Sequence, residues 1–167
     1  MSFSLRPAGP QDIDFLTDML VEASDWQGVK SGGLPQQDRR VTVLADPKVA
    51  GYIDGWLRDG DAGVVAVDSE HRPIGASWTR LFTKDAPAFG FVSPEVPELA
   101  IGIVKSWRGK GIGRRLLREV VTMTGLAGYD RLSLSVDVDN PAKQLYASEG
   151  FEVIETRPTA VTMLKTL

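Results

Sequence analysis

The 167-residue chain predicts one mixed α/β domain spanning residues 1–167. Three observations carry that expectation. Segments of β-type apolar chemistry alternate with segments whose apolar residues recur every three to four positions. Residues 98–127 run as apolar strand, glycine-rich turn and amphipathic helix. No internal repeat, low-complexity run or linker divides the chain, and its length suits a single core.

In order, residues 4–6 read as a short first strand, closed by Pro7 and Pro10. A helix follows from Gln11, with Ile13, Leu16, Leu20 and Ala23 on one face and Asp12 and Asp14 in its first turn. Residues 24–40 contain Gly28, Gly32, Gly33 and Pro35 and few apolar residues, so they read as a long loop. A second helix is expected from Asp46 as cap and Pro47 at its first position. Its apolar face is Val49, Ile53, Trp56 and Leu57, and Gly60 ends it. Residues 63–67 and 74–82 read as two strands joined by the 68–73 turn. In the second, Ile74, Ala76, Trp78, Arg80 and Phe82 share a face by the period of two. Arg80 would there either meet a substrate carboxylate or sit on a rim without a dedicated partner. Residues 83–97, with three prolines, form a connecting loop.

The apolar strand 99–104 leads into the turn 108–113. After it, Ile112, Leu116, Leu117, Val120 and Val121 make one helical stripe, stopped by Gly125 and Gly128. Residues 131–136 alternate Leu132, Leu134 and Val136 with Ser133 and Ser135, a half-buried strand. Asn140 as cap and Pro141 at the first position start a short helix that ends at Gly150. Residues 151–155 and 160–165 supply two last strands around the Arg157-Pro158 turn.

Composition narrows the functions. The chain has no cysteine and one histidine. Disulfides, thiolate metal sites and a cysteine nucleophile are thereby excluded, and no metal ligand is expected. His71, in the polar 68–73 turn, reads as solvated. No run reaches the ~18–20 apolar residues of a membrane span, and the first residues lack a signal peptide's apolar core. The expectation is a cytoplasmic protein with no membrane partner. A net charge of −3 and a pI near 5.2 argue against nucleic acid and favour a cationic small molecule or a peptide amine.

Against that acidic background, Lys105, Arg108, Lys110, Arg114, Arg115 and Arg118 fall within fourteen residues that contain no acid. Gly109, Gly111 and Gly113 alternate through the turn and let the backbone approach a ligand closely. The helix that follows offers unpaired N–H groups and a partial positive charge. Together these features describe an anion seat. The spacing is neither the dinucleotide GxGxxG nor the P-loop GxxxxGK[S/T]. A glycine-rich turn with a solvated basic face is the competing reading.

Arg108-x-x-Gly111-x-Gly113 between a strand and a helix resembles the GNAT superfamily of N-acetyltransferases. So does the run Asn140-Pro141-Ala142-Lys143-Gln144-Leu145-Tyr146-Ala147-Ser148-Glu149-Gly150-Phe151, in the family's order and at its distance from the first motif. The resemblance implies a central mixed, mostly antiparallel sheet flanked by helices, with acetyl-CoA as co-substrate. It implies that the backbone of Ile101, Gly102 and Ile103 runs beside the pantetheine arm. The N–H groups of Gly109, Lys110, Gly111, Ile112, Gly113 and Arg114 would hold the pyrophosphate, with Arg108 and Arg114 adding charge. Asn140 would touch the cofactor near its helix start.

By the same resemblance, Tyr146 would donate a proton to the leaving thiolate, which suits a phenol. The acceptor amine would attack the thioester directly, the Ile103 N–H stabilising the oxyanion. Glu98 is the first candidate for the proton acceptor and Glu95 the reserve; a solvated strand end is the other reading of Glu98. Lys105 stands where many family members have proline. The acceptor is a small-molecule or peptide amine, and a homodimer is compatible with the family's habits. Trp26 and Trp78 either line the amine site or serve as rim and core. Other readings are an acyltransferase for another acyl-CoA or an O-acceptor, and a non-catalytic acyl-CoA-binding module.

Overall fold

A computed structural model describes residues 2–28 and 34–167. Among them are seven strands: β1 (Phe3–Pro7), β2 (Ala62–Asp68), β3 (Pro73–Arg80), β4 (Glu98–Ile103), β5 (Arg131–Asp137), β6 (Glu152–Thr156) and β7 (Ala160–Thr166). Five α-helices accompany them: α1 (Ile13–Ser24), α2 (Gln36–Leu44), α3 (Pro47–Ala50), α4 (Ile112–Leu126) and α5 (Ala142–Ser148). The strands form one sheet in the order β1-β2-β3-β4-β5-β7-β6. Every pairing is antiparallel except β4 with β5, so the sheet is mixed and mostly antiparallel, as expected. The exception has a connectivity cause: α4 is the crossover that returns the chain to lie parallel.

That parallel pair is joined at a single register position, Glu98↔Ser133, with the Ser133 N–H donating to Pro97 at 3.0 Å. Beyond it β4 keeps β3 as its neighbour through Ile103, and β5 keeps β7 through Asp137. The two strands part, and among the described residues the backbone edge of β4 facing β5 is left without a strand partner.

Two cores cover the sheet. On one face Ile112, Leu116, Leu117 and Val120 of α4 pack on Val64, Leu99, Leu132 and Leu134. On the other, Leu16, Met19 and Leu20 of α1 meet Val65, Ala76, Trp78 and Phe82. Each such side chain removed from water contributes about 1.5–3 kcal/mol, which fixes α1 and α4 against β4 from opposite sides.

Several expectations change. Residues 24–40 are not one loop: α2 begins at Gln36, while positions 29–33, with Gly32 and Gly33, lie outside the described residues. Helix α2 buries only Val43. Arg39 binds Glu22 and Asp25, and Arg40 donates to Asp18 at 2.7 Å. A helix held to its neighbour by ion pairs has no apolar stripe to announce it.

Helix α3 stops at Ala50 instead of running to Gly60. Asp46 caps it as expected, accepting from the Lys48 N–H at 2.9 Å. The carbonyls that would continue it are taken from the sheet: the Trp78 indole donates to Tyr52 at 2.9 Å, and Arg80 donates to Gly51 and Asp54 at 3.0 and 2.6 Å. Gly55, at φ +71°, completes the break.

Arg80 is therefore neither a rim residue nor a substrate arginine. It is 1% exposed and binds Asp61 with two donors, at 3.0 and 2.7 Å. Trp78 is core. Ile74 leaves the Trp78 face, because pairing steps from Ala66↔Gly75 to Val67↔Pro73 and makes Ile74 the extra residue of a bulge.

Candidate active site

Where β4 and β5 part, a cavity of about 530 Å³ opens between them. Its walls are Leu99–Ile103 of β4, residues 134–137 of β5, the turn before α4, the start of α5, and the end of α1 with Trp26. Val49, Tyr52 and Phe89 also line it.

The glycine turn comes first. A 3-10 turn, Lys105–Trp107, carries the chain from β4 into it. Gly109 and Gly111 stand at φ +76° and +83°, and a Cβ on either would meet nothing within 4 Å. Both need glycine for conformation, and the space before them is open. Helix α4 has Gly111 as its N-cap and no side-chain cap, so its first-turn amides have no internal acceptor. Gly113 is tighter, with Ile103 Cδ1 at 3.2 Å and Leu145 Cδ2 at 3.4 Å from a Cβ position. An oxyanion fits this uncapped, unobstructed helix start.

The basic run is far less naked than its sequence. Arg108 pairs with Glu22 at 2.8 Å and donates to the carbonyls of Trp26 and Ile103, both at 3.3 Å. Arg114 and Arg118 both bind Glu149, the latter at 3.0 Å. Arg118, then Arg114, hold that carboxyl below its usual range. Arg115 lies over the Phe3 ring, 5.5 Å from its centroid. Lys105 and Lys110 are exposed.

On β4, Ile101, Gly102 and Ile103 line the cavity. Gly102 is also demanded from behind: a Cβ there would stand 2.3 Å from the Met19 carbonyl oxygen of α1. Across the cavity, Asn140 Oδ1 accepts from the Ala142 N–H at 2.9 Å, tying down the start of α5. Tyr146 is buried, edge-on to Phe151 at 6.2 Å between centroids. Burial pushes its phenol well above the ordinary value, and its hydroxyl lacks a hydrogen-bond partner among the described residues. Trp26 donates from its indole to Asp137 at 3.0 Å, joining the end of α1 to the end of β5. It lines the cavity; Trp78 does not.

Glu98 is no solvated strand end. It is 1% exposed, on the face opposite Leu99. Its Oε2 accepts from the Tyr52 hydroxyl and, at 3.1 Å, from the Gly90 N–H. Its Oε1 is buried without a partner among the described residues. Burial raises this carboxyl to about 7, against the pull of those two hydrogen bonds and of Arg157 and Lys48. Glu95, the reserve, is bound to Ser93 at 2.8 Å and lies outside the cavity wall. Sequence reasoning missed Tyr52 and Glu22. Tyr52, at i+3 from Val49 and i−4 from Trp56, reads as one more aromatic of the core-facing stripe, and nothing local marks Glu22 as the partner of Arg108.

Among the described residues no cluster of acids and histidine is placed to hold a metal ion, and no helix is long and apolar enough to cross a membrane.

Comparison with known proteins places this architecture. A family model for the acetyltransferase (GNAT) domain matches residues 81–153, from the end of β3 through the glycine turn to β6. Over that span the chain is similar to the GNAT acetyltransferases. A mycothiol acetyltransferase of Thermobifida fusca is 27% identical over 161 residues, which cover 92% of this chain and 48% of that protein. One from Corynebacterium aurimucosum is 33% identical over 82 residues, 48% of this chain and 25% of its own. The chain thus spans about half the length of the first of these relatives, and less of the second. The GNAT fold is shared with the PaiA N-acetyltransferase of Thermoplasma acidophilum, solved with coenzyme A. Their TM-score is 0.70 at 18% identity, with both chains covered completely. It is shared also with a phosphinothricin acetyltransferase of Sinorhizobium meliloti solved with AcCoA, at TM-score 0.67 and 22% identity, covering 100% of this chain and 89% of that one.

Proposed function

We propose that this chain is an acetyl-CoA-dependent N-acetyltransferase domain that moves an acetyl group to a primary amine. One arrangement carries the reading: the edge of β4 that no described strand pairs leads to the open, uncapped start of α4, and Tyr146, whose hydroxyl has no partner among the described residues, lines the same cavity. The match of residues 81–153 to the acetyltransferase (GNAT) domain supports it. The names of the related proteins differ, with mycothiol in one and phosphinothricin in another, and the acceptor of this chain is proposed only as a class, a primary amine.

In this reading acetyl-CoA, when bound, supplies an activated acyl carbonyl and a thiolate leaving group. The backbone of Ile101, Gly102 and Ile103 would pair with the pantetheine amides, the Ile103 N–H also facing the developing oxyanion. The amides of Gly109, Lys110, Gly111, Ile112, Gly113 and Arg114 would seat the pyrophosphate. Arg108 and Arg114, each already paired with a carboxylate, add less charge than free cations would. Asn140, by holding the start of α5, would place Tyr146. A phenol kept protonated by burial stays a proton donor at neutral pH, which is what the departing thiolate needs. Glu98 would be the final proton acceptor for the amine.

Calorimetric titration with acetyl-CoA, CoA and a longer acyl-CoA tests this, followed by thiol release across a panel of amines. Binding of acetyl-CoA and amine-dependent thiol release are expected. Preference for the longer chain would move the reading to another acyl transferase, and no binding by folded protein would refute it.

A further inference from the structure

We infer that Tyr52 takes the proton from the acceptor amine and that Glu98 is the sink behind it. This rests on the acetyltransferase reading of the cavity.

Position decides between the two groups. Tyr52 lines the cavity, and Glu98 does not. The Tyr52 hydroxyl donates to Glu98 Oε2 and accepts the Phe89 N–H at 3.3 Å, leaving one lone pair. Glu98 is joined to the cavity wall through that hydroxyl. Among the described residues no cation is bound to the carboxylate. Arg80, opposite Glu98 on the β3–β4 ladder, is committed to Asp61. Lys48, on α3, and Arg157, between β6 and β7, act on Glu98 through space alone; Ser133, beside it on β5, gives its hydroxyl to Pro97. A buried carboxyl whose second oxygen has no partner is an expensive arrangement for mere packing. It is a suitable one for a group that must change its protonation each cycle.

The step balances. One N–H bond of the protonated amine breaks and its proton passes to Tyr52 Oη. In the same motion the Tyr52 O–H proton passes to Glu98 Oε2. The products are a neutral amine, an intact phenol and a neutral carboxyl, and that proton later leaves to solvent. The second proton, lost as the amide forms, balances the one given by Tyr146 to the thiolate. Burial raises both phenols, so neither serves as a free phenolate. The tyrosine with a carboxylate behind it accepts by exchange, and the tyrosine without one donates.

The test uses 2-phenylethylamine, protonated at neutral pH, and phenylhydrazine, largely neutral there, as acceptor probes for the aromatic walls Trp26, Tyr52 and Phe89. Tyr52→Phe should lower kcat/KM for 2-phenylethylamine on the order of 10²-fold without changing acetyl-CoA affinity by calorimetry. The wild-type rise of kcat/KM through about pH 7 should vanish in Tyr52→Phe. Phenylhydrazine should rescue the variant. Glu98→Gln, which can still accept the Tyr52 hydrogen bond but not its proton, should behave alike and serves if Tyr52→Phe fails to fold. An unchanged rate and pH profile in Tyr52→Phe would overturn the relay, as would equal losses with both probes. A wild type that binds acetyl-CoA but releases thiol with neither amine also overturns it, whereas failure to bind acetyl-CoA removes the acetyltransferase reading beneath it.

Discussion

Replacing Glu98 by glutamine isolates what it costs to bury that carboxyl. Its raised value, about 7 against 4.5 when unperturbed, means that the native state holds a proton which the unfolded chain has already lost. Each unit of such a difference is worth about 1.4 kcal/mol, so the gap amounts to about 3 kcal/mol. The sign follows from the direction. Stability from the protonated group is fully present below the unfolded value and is lost as pH rises through the folded one. Urea unfolding followed by tryptophan fluorescence at several pH values, on wild type and Glu98→Gln, measures it. Between about pH 5 and about pH 8 wild type should lose about 2.5 kcal/mol relative to the variant. Asp12, held low by Arg6, and Glu149, held low by Arg118 and Arg114, are common to both proteins and cancel in the difference. Glutamine also places a donor where Oε1 has no partner, a fixed offset of about 1–3 kcal/mol that does not vary with pH. Parallel stability curves across this range would refute the reasoning, because the buried carboxyl would then titrate as it does in the unfolded chain.

Four further outcomes are expected. Tyr146→Phe should lower turnover on the order of 10²-fold with acetyl-CoA affinity by calorimetry unchanged; an unchanged rate removes its role as acid. Gly111→Val forces a β-branched residue to φ +83°, at about 1–2 kcal/mol of strain, and should abolish acetyl-CoA binding in the same titration. Arg80→Met takes two donors from the Asp61 carboxylate, whose side chain is 1% exposed, and leaves it the Arg58 N–H at 2.9 Å and the Arg58 guanidinium at 4.0 Å, so urea unfolding should show a loss of about 1–3 kcal/mol. Gly102→Ala drives a methyl to 2.3 Å from the Met19 carbonyl oxygen and should destabilise by about 1–3 kcal/mol, read from the thermal midpoint.

Reading the fold from the sequence worked where the physics is local. The helix at α4 announced itself because Ile112, Leu116, Leu117 and Val120 recur at helical spacing and all four are buried. The cap Asp46 was legible because an N-cap is a contact two residues long. The same logic failed one turn later. Whether α3 continued depended on Trp78 and Arg80, which claim its carbonyls from a strand 26 to 29 residues away. Helix α2 failed differently, since its support is charge pairing to α1 and its sequence has almost no apolar face.

The candidate site divides in the same way. Turn glycines, an open helix start and the Asn140–Phe151 run are short-range patterns, so their residues carry their own meaning. What surrounds them does not. The basic run looks unopposed along the chain, yet Glu22 lies 86 residues from Arg108 and Glu149 lies 35 from Arg114. Tyr52 and Glu98 are 46 residues apart, and only folding makes them a pair. Gly102 suggests a strand passing a ligand, whereas the Met19 carbonyl behind it also requires glycine. Backbone conformation and helical periodicity are decided within a few residues. Desolvation, ion pairing and close packing are decided by whatever the fold brings alongside, and at this site they set which carboxyl is buried, which cations are neutralised and which tyrosine faces the cavity.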